Sequence, residues 1–228
     1  MALAPLAVLL AIVIATGGTQ SSPSAARADA SRVATVPALT TPGPSTSPAP
    51  ATPPPGRRHC PLAVAPDGYV NPLAGAIVKP ERIDQGVDYA GVGKLAAIGA
   101  ARITFLATGN VGWSGAFIEY QLLDGADAGC YVYYAEGVTP APGLRVGQPV
   151  SAGQPIATII PVYPTGIEIG WAAGVEMKTY ALVARQWNAA DDQSDVASAA
   201  GKNFSSLIAA LGGPPGKDET GPATSPAP

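Results

Sequence analysis

Between Cys60 and Trp187 the apolar positions fall in short runs with the period of strands. ARITFLA (101–107), GAFIEYQLL (115–123), CYVYYAE (130–136), QPIATII (154–160) and GIEIGWA (166–172) are β-branched or aromatic segments bounded by Gly, Pro and Asp. In the second of them Phe117, Glu119 and Gln121 alternate with Ile118, Tyr120 and Leu122, and the loop DGADAG then returns the chain into CYVYYAE. This pair is predicted to form a β-hairpin. A sextet spacing follows, GQPV at 147–150 and GQPI at 153–156, in which glycine permits a tight turn and the apolar residue re-enters the core. No sustained helical stripe precedes Trp187. After Asn188 the period changes: Phe204, Leu207, Ile208 and Leu211 fall on one helical face. One amphipathic helix is predicted there, capped by Asn203 at its start and Gly212 at its end, with Pro214 and Pro215 preventing continuation. The expected fold class is all-β, an antiparallel sheet with a C-terminal helix packed on it.

Composition places the boundaries. The chain has 228 residues, 47% hydrophobic and 13% charged, which is material for one modest domain. Its prolines crowd before residue 60 and after Gly212, so the domain lies between two tails. Residues 1–28 hold an apolar run too short for a comfortable membrane span, followed by an A-x-A site at Ala26-Arg27-Ala28. No Lys or Arg precedes the run, so this segment reads as a signal peptide or an N-terminal anchor, and any membrane association is expected only through it if uncleaved. Residues 29–59 form a Pro/Ser/Thr-rich linker, too polar to bury a core and expected to be extended polyproline II. Residues 60–187 are the β domain, and 188–228 supply the helix and a tail whose last dozen residues are expected to be disordered.

Charge and cysteines narrow the function. A net charge of −3 with scattered Lys and Arg gives no basic footprint, so nucleic acid is not an expected partner. Cys60 and Cys130 fit an oxidising compartment, where they would pair as a structural disulfide. The single histidine, His59, stands at the linker boundary. Neither a two-imidazole zinc site nor a Ser-His or Cys-His nucleophile can then be assembled inside the domain.

Taken in order, DQGVDYAG (84–91), a glycine-rich strand pair, YVYYAE, VGQPVSAGQPIA and TGIEIGWA resemble the lysostaphin/LytM-type zinc endopeptidases, which cut peptidoglycan cross-bridges. The similarity runs from about Asn71 to Ala172, and its most specific part is the order and spacing of the blocks. It implies a lysostaphin/LytM-like (duplicated hybrid motif-like) β domain. The family's first motif, H-x-x-x-D, has both ends on zinc, and its ends resemble Asp84 and Asp88 here. The tyrosine-alanine-histidine block resembles Tyr134-Ala135-Glu136, and the final H-x-H resembles Gly166-Ile167-Glu168. The family's catalytic positions thus fall on Glu136 and Gly166, and its metal positions on Asp84, Asp88 and Glu168. With every histidine replaced, the family's water activation and proton handling are expected to be lost. The family's noncatalytic members are thought to bind wall components or to regulate hydrolases.

The expectation is therefore an exported cell-envelope protein with a noncatalytic domain that binds peptidoglycan or acts on a wall hydrolase, with no cofactor required. Two enzymatic alternatives stay open. Asp84, Asp88 and Glu168 suit a hard divalent cation better than zinc if they converge. Carboxylates including Glu136 would serve a glycosidase at suitable separation. The strand aromatics pack in a core more often than they face a ligand. As stacking platforms for sugar rings or wall peptides, Tyr131, Tyr133, Tyr134, Trp113 and Trp171 are the candidates, with Tyr134 and Trp171 set beside the three carboxylates as binding residues.

Overall fold

The protein is described from a computed structural model, which covers residues 60, 62–162, 166–188, 191 and 196–219. The signal or anchor segment, the linker and His59 lie outside these residues. Nine strands, β1 (Ala76–Ile83), β2 (Val87–Ala96), β3 (Ala101–Ala107), β4 (Phe117–Leu122), β5 (Tyr131–Glu136), β6 (Val138–Pro140), β7 (Pro149–Val150), β8 (Pro155–Ile159) and β9 (Ile167–Ala172), are followed by helices α1 (Tyr180–Val183) and α2 (Ala199–Ala210). The strands form one sheet in the order β6-β8-β2-β9-β5-β4-β3-β7, with β1 paired to β2. Every strand pairing is antiparallel. The fold is all-β, and among the described residues no helix is long and apolar enough to cross a membrane.

The five predicted runs are β3, β4, β5, β8 and β9, and β4 and β5 form the expected hairpin, with Ile118 opposite Tyr134 and Gln121 opposite Tyr131. The sequence pattern missed β1 and β2. AIVKPERI and VDYAGVGKLA carry Pro80, Gly91, Gly93 and several charges, all of which weigh against strand. Tertiary packing overrides that preference. Gly93 sits at a φ of 126°, where a side chain would lie 2.5 Å from Ala76 Cα, so the β1–β2 crossing needs glycine.

Strand alternation gives the sheet two faces. One carries Tyr89, Ile118, Tyr120, Val132, Tyr134, Ile167, Ile169 and Trp171 into the main core, where Phe204, Leu207 and Ile208 of α2 meet them. The other carries Asp88, Glu119, Tyr133, Ala135 and Glu168, as the pairs Asp88–Glu168, Ala135–Glu168 and Glu119–Tyr133 require. On this second face Phe117, Tyr133, Ala135, Val111 and Ala172 make a smaller apolar cluster, with Phe117 and Tyr133 stacked at 5.4 Å.

Helix α2 starts earlier than its apolar stripe predicts. Ser198, not Asn203, is the N-cap, and its hydroxyl accepts from Gly201 N at 2.9 Å. The first turn is Ala, Ala, Gly and Lys, which offers no stripe to read. Gly212 ends the helix as expected: Gly212 N donates to Ala209 O and Gly213 N to Ile208 O, a Schellman closure. Ser198 N also donates to Asp84 O at 2.9 Å, so the helix start is tied to the β1–β2 turn.

Cys60 and Cys130 are joined in a disulfide. The tail departs from the expectation of disorder at its beginning, because Lys217 pairs with the end of β1 through Ile83 N to Lys217 O (2.9 Å) and Lys217 N to Glu81 O (2.7 Å). The last residues of the tail lie outside the described part.

Candidate functional site

The site is built on the turn from β1 to β2 and on the facing strand β9. Asp84 occupies the turn, and its Oδ1 accepts from Gly86 N at 3.3 Å. Only glycine fits at 86, since a side chain there would meet Ile169 O at 2.4 Å and Tyr133 Oη at 2.6 Å. Asp88 follows as the second residue of β2 and pairs with Glu168 of β9. Asp84, Asp88 and Glu168 each place a carboxylate oxygen within 4.8 Å of the others. They are only 5%, 9% and 7% exposed. The three acids are thus buried at the floor of the site.

Two neighbours hold this cluster: Arg82, which sequence reasoning did not assign to the site, and Tyr133, which it offered only as a stacking platform and not as a hydrogen-bond donor. Arg82 reaches across both aspartates, with Nη2 3.2 Å from Asp84 Oδ2 and Nε 3.1 Å from Asp88 Oδ2. Tyr133 donates its hydroxyl to Glu168 Oε1 at 2.5 Å from the apolar cluster beneath. The available signals were weak: a single arginine in the charged run PERID, and one tyrosine among four aromatic or apolar strand positions.

Burial decides the protonation of the cluster. Loss of solvent pushes Asp88 up to about 8, the charge of Asp84 adds to this, and the Arg82 guanidinium opposes it. Glu168 is pushed well above the ordinary carboxylate range by burial first, then by the charges of Asp84 and Asp88. A hydrogen bond with Asp84 also favours its protonated form. Burial, followed by the charge of Glu168, holds Tyr133 well above the usual phenol range, so it remains a neutral donor.

A cavity of about 570 Å³ opens over the cluster, with Glu81, Glu136, Trp187, Lys217 and Glu219 among its walls. Glu136 takes a left-handed φ of 65° at the end of β5, an uncommon conformation for a side-chain-bearing residue. Gly166, the other family catalytic position, has a φ of 70° and stands where a side chain would meet Tyr89 O at 2.5 Å. It contributes no functional group.

Tyr134 and Trp171 are corrected as binding residues. Both point to the core face, one parity away from the site. Tyr134 packs edge-on against Tyr120 and donates to Ala96 O at 2.5 Å. Trp171 packs edge-on against Phe204 and donates to Asn203 Oδ1 at 2.7 Å. Neither ring offers a face to a ligand.

The donor set does not fit zinc. Zinc sites draw on imidazole and thiolate, and here three carboxylates stand alone, one bonded to Tyr133 and two bonded to Arg82. Carboxylate oxygens suit a harder cation, but Arg82 already holds an oxygen of each aspartate.

No family model matches the chain, and no curated protein matches it. Among solved structures, the solution NMR structure of lysostaphin matches with 16% identity and a TM-score of 0.37. The match covers 49% of this chain and 49% of that one, so this chain spans about half of that protein's length.

Proposed function

We propose that this is an exported cell-envelope protein whose β domain binds peptidoglycan without cutting it, and in doing so regulates wall hydrolysis. The observation that carries this reading is the Arg82 guanidinium set between Asp84 and Asp88, two of the positions at which the resemblance would put zinc ligands. With those oxygens engaged and no imidazole or thiolate in the cluster, the ligand set and the histidines that the resemblance would require for zinc-activated hydrolysis are missing there. What supports binding is the cavity itself. Its volume of about 570 Å³ suits a short peptide or sugar segment, and its walls carry both signs of charge, as a zwitterionic wall peptide would require.

The test is sedimentation of the purified protein with cross-linked peptidoglycan, alongside assay of released amino termini. Retention without release is expected, with or without added Zn²⁺. The double substitution Glu81→Gln with Lys217→Gln, at the walls rather than in the buried cluster, should weaken retention. Release of new amino termini by wild-type protein would falsify the noncatalytic reading, and absence of any retention would remove the peptidoglycan ligand.

A further inference from the structure

The position of Arg82 is built by an irregularity in the sheet. Pro80 pairs with Tyr89 and Ile83 with Val87, so Glu81 and Arg82 together oppose the single residue Asp88. This is a β-bulge, a device that re-aims side chains beside functional sites. Pro80 is tolerated immediately before it because β1 is an edge strand. The bulge leaves the Glu81 carbonyl and the Ile83 amide without partners in β2, and the tail supplies both through the backbone of Lys217. Tyr89 Oη donates to Pro214 O at 2.8 Å and Gly216 N to Ser205 Oγ at 3.0 Å, so the segment that clamps the bulge is itself anchored.

We infer that Arg82 is the resident cation of this centre: its guanidinium holds Asp84 and Asp88 together as a metal dication would, and thereby excludes such an ion from the cluster. The fork geometry of guanidinium lets Nε and Nη2 serve two carboxylates at once, which a lysine ammonium cannot do in the same plane. A dication would have to draw oxygens of the same two carboxylates to about 2.0–2.6 Å. It would then lie beside the positive charge of Arg82, on carboxylates that are themselves buried, where like charges repel. Glu168, bonded to Tyr133, completes the cluster without demanding a second cation. This deepens the noncatalytic reading and uses observations independent of any wall ligand.

The experiment compares full-chain wild type with Arg82→Ala, each titrated with Mn²⁺, Ca²⁺ or Zn²⁺ alone. Bound metal per chain is measured after dialysis, and thermal melting is recorded with and without each ion. Arg82→Ala is expected to bind one equivalent of at least one ion ten or more times more tightly than wild type. Adding Asp84→Asn should reverse that gain. Arg82→Ala should also melt lower than wild type without metal and recover when the ion is added. If Arg82→Ala does not fold, Arg82→Gln repeats the comparison under the same criterion. A gain of less than tenfold in the folded variant, or a gain that survives Asp84→Asn, overturns the inference. Wild type that binds an ion as tightly as the variant and leaves peptidoglycan uncut overturns this inference alone. Cleavage overturns the noncatalytic reading.

Discussion

Trp171 of β9 and Asn203 of α2 are joined by a 2.7 Å hydrogen bond from indole Nε1 to amide Oδ1, and Asn203 Nδ2 carries the link on to Leu62 O at 2.6 Å. One side chain thus ties the sheet, the helix and the segment following the disulfide. Asn203→Ala leaves a buried indole N–H without its acceptor and should cost about 1–3 kcal/mol in urea denaturation. An unchanged midpoint would show that the bond contributes nothing.

Phe204 lies in the core against Trp171, with ring centroids 5.3 Å apart. Phe204→Ala should therefore destabilise the domain by about 3–5 kcal/mol, the range for emptying a buried aromatic site. A loss below 1 kcal/mol would mean that α2 is not part of the cooperative unit.

The Cys60–Cys130 bridge closes a loop across 70 residues. By loop entropy it should contribute about 4 kcal/mol. Reduction with a phosphine should lower the melting temperature, and Cys130→Ser should reproduce that fall without reductant. Equal melting of reduced and oxidised protein would remove the bridge from the account of stability.

The buried acids make stability depend on pH in a defined direction. Asp88 is pushed up to about 8 in the folded domain, chiefly by burial, and Glu168 is shifted the same way. A raised carboxyl pKa means that the folded state binds protons the unfolded chain has already released. Its contribution is complete below the ordinary carboxylate value near 4 and disappears as pH rises through about 8. Melting temperature should therefore fall between pH 5 and pH 8, and Asp88→Asn should flatten that decline. A rising profile over the same interval would contradict the assignment.

Removal of residues 216–228 deletes the Lys217 partners of Glu81 and Ile83. The Ile83 amide, protected in the full chain, should then exchange with solvent at least ten times faster, while amides in β5 and β9 keep their protection. Unaltered exchange at Ile83 would show that the tail does not clamp the bulge.

Much of the fold is legible in the sequence because β4 alternates its residues at the period of a strand, β3, β5, β8 and β9 are short β-branched or aromatic runs bounded by turn residues, and the DGADAG loop announces the hairpin. That local pattern determines an all-β domain, the end of α2 at Gly212, and two cysteines available for one bridge. Asp84, Asp88 and Glu168 come to notice as a set only through the resemblance, which places them at its metal-ligand positions. Tertiary structure alone decided the rest. Parity across paired strands sends Tyr134 and Trp171 into the core and Tyr133 to the site, because register depends on neighbouring strands and not on residue type. Arg82 enters the cluster only through a bulge of one extra residue on β1, and the backbone groups that bulge releases are satisfied by Lys217, more than a hundred residues further along. Spacing in a sequence records local geometry; which charges become partners is set by where distant segments must place their unpaired hydrogen-bonding groups.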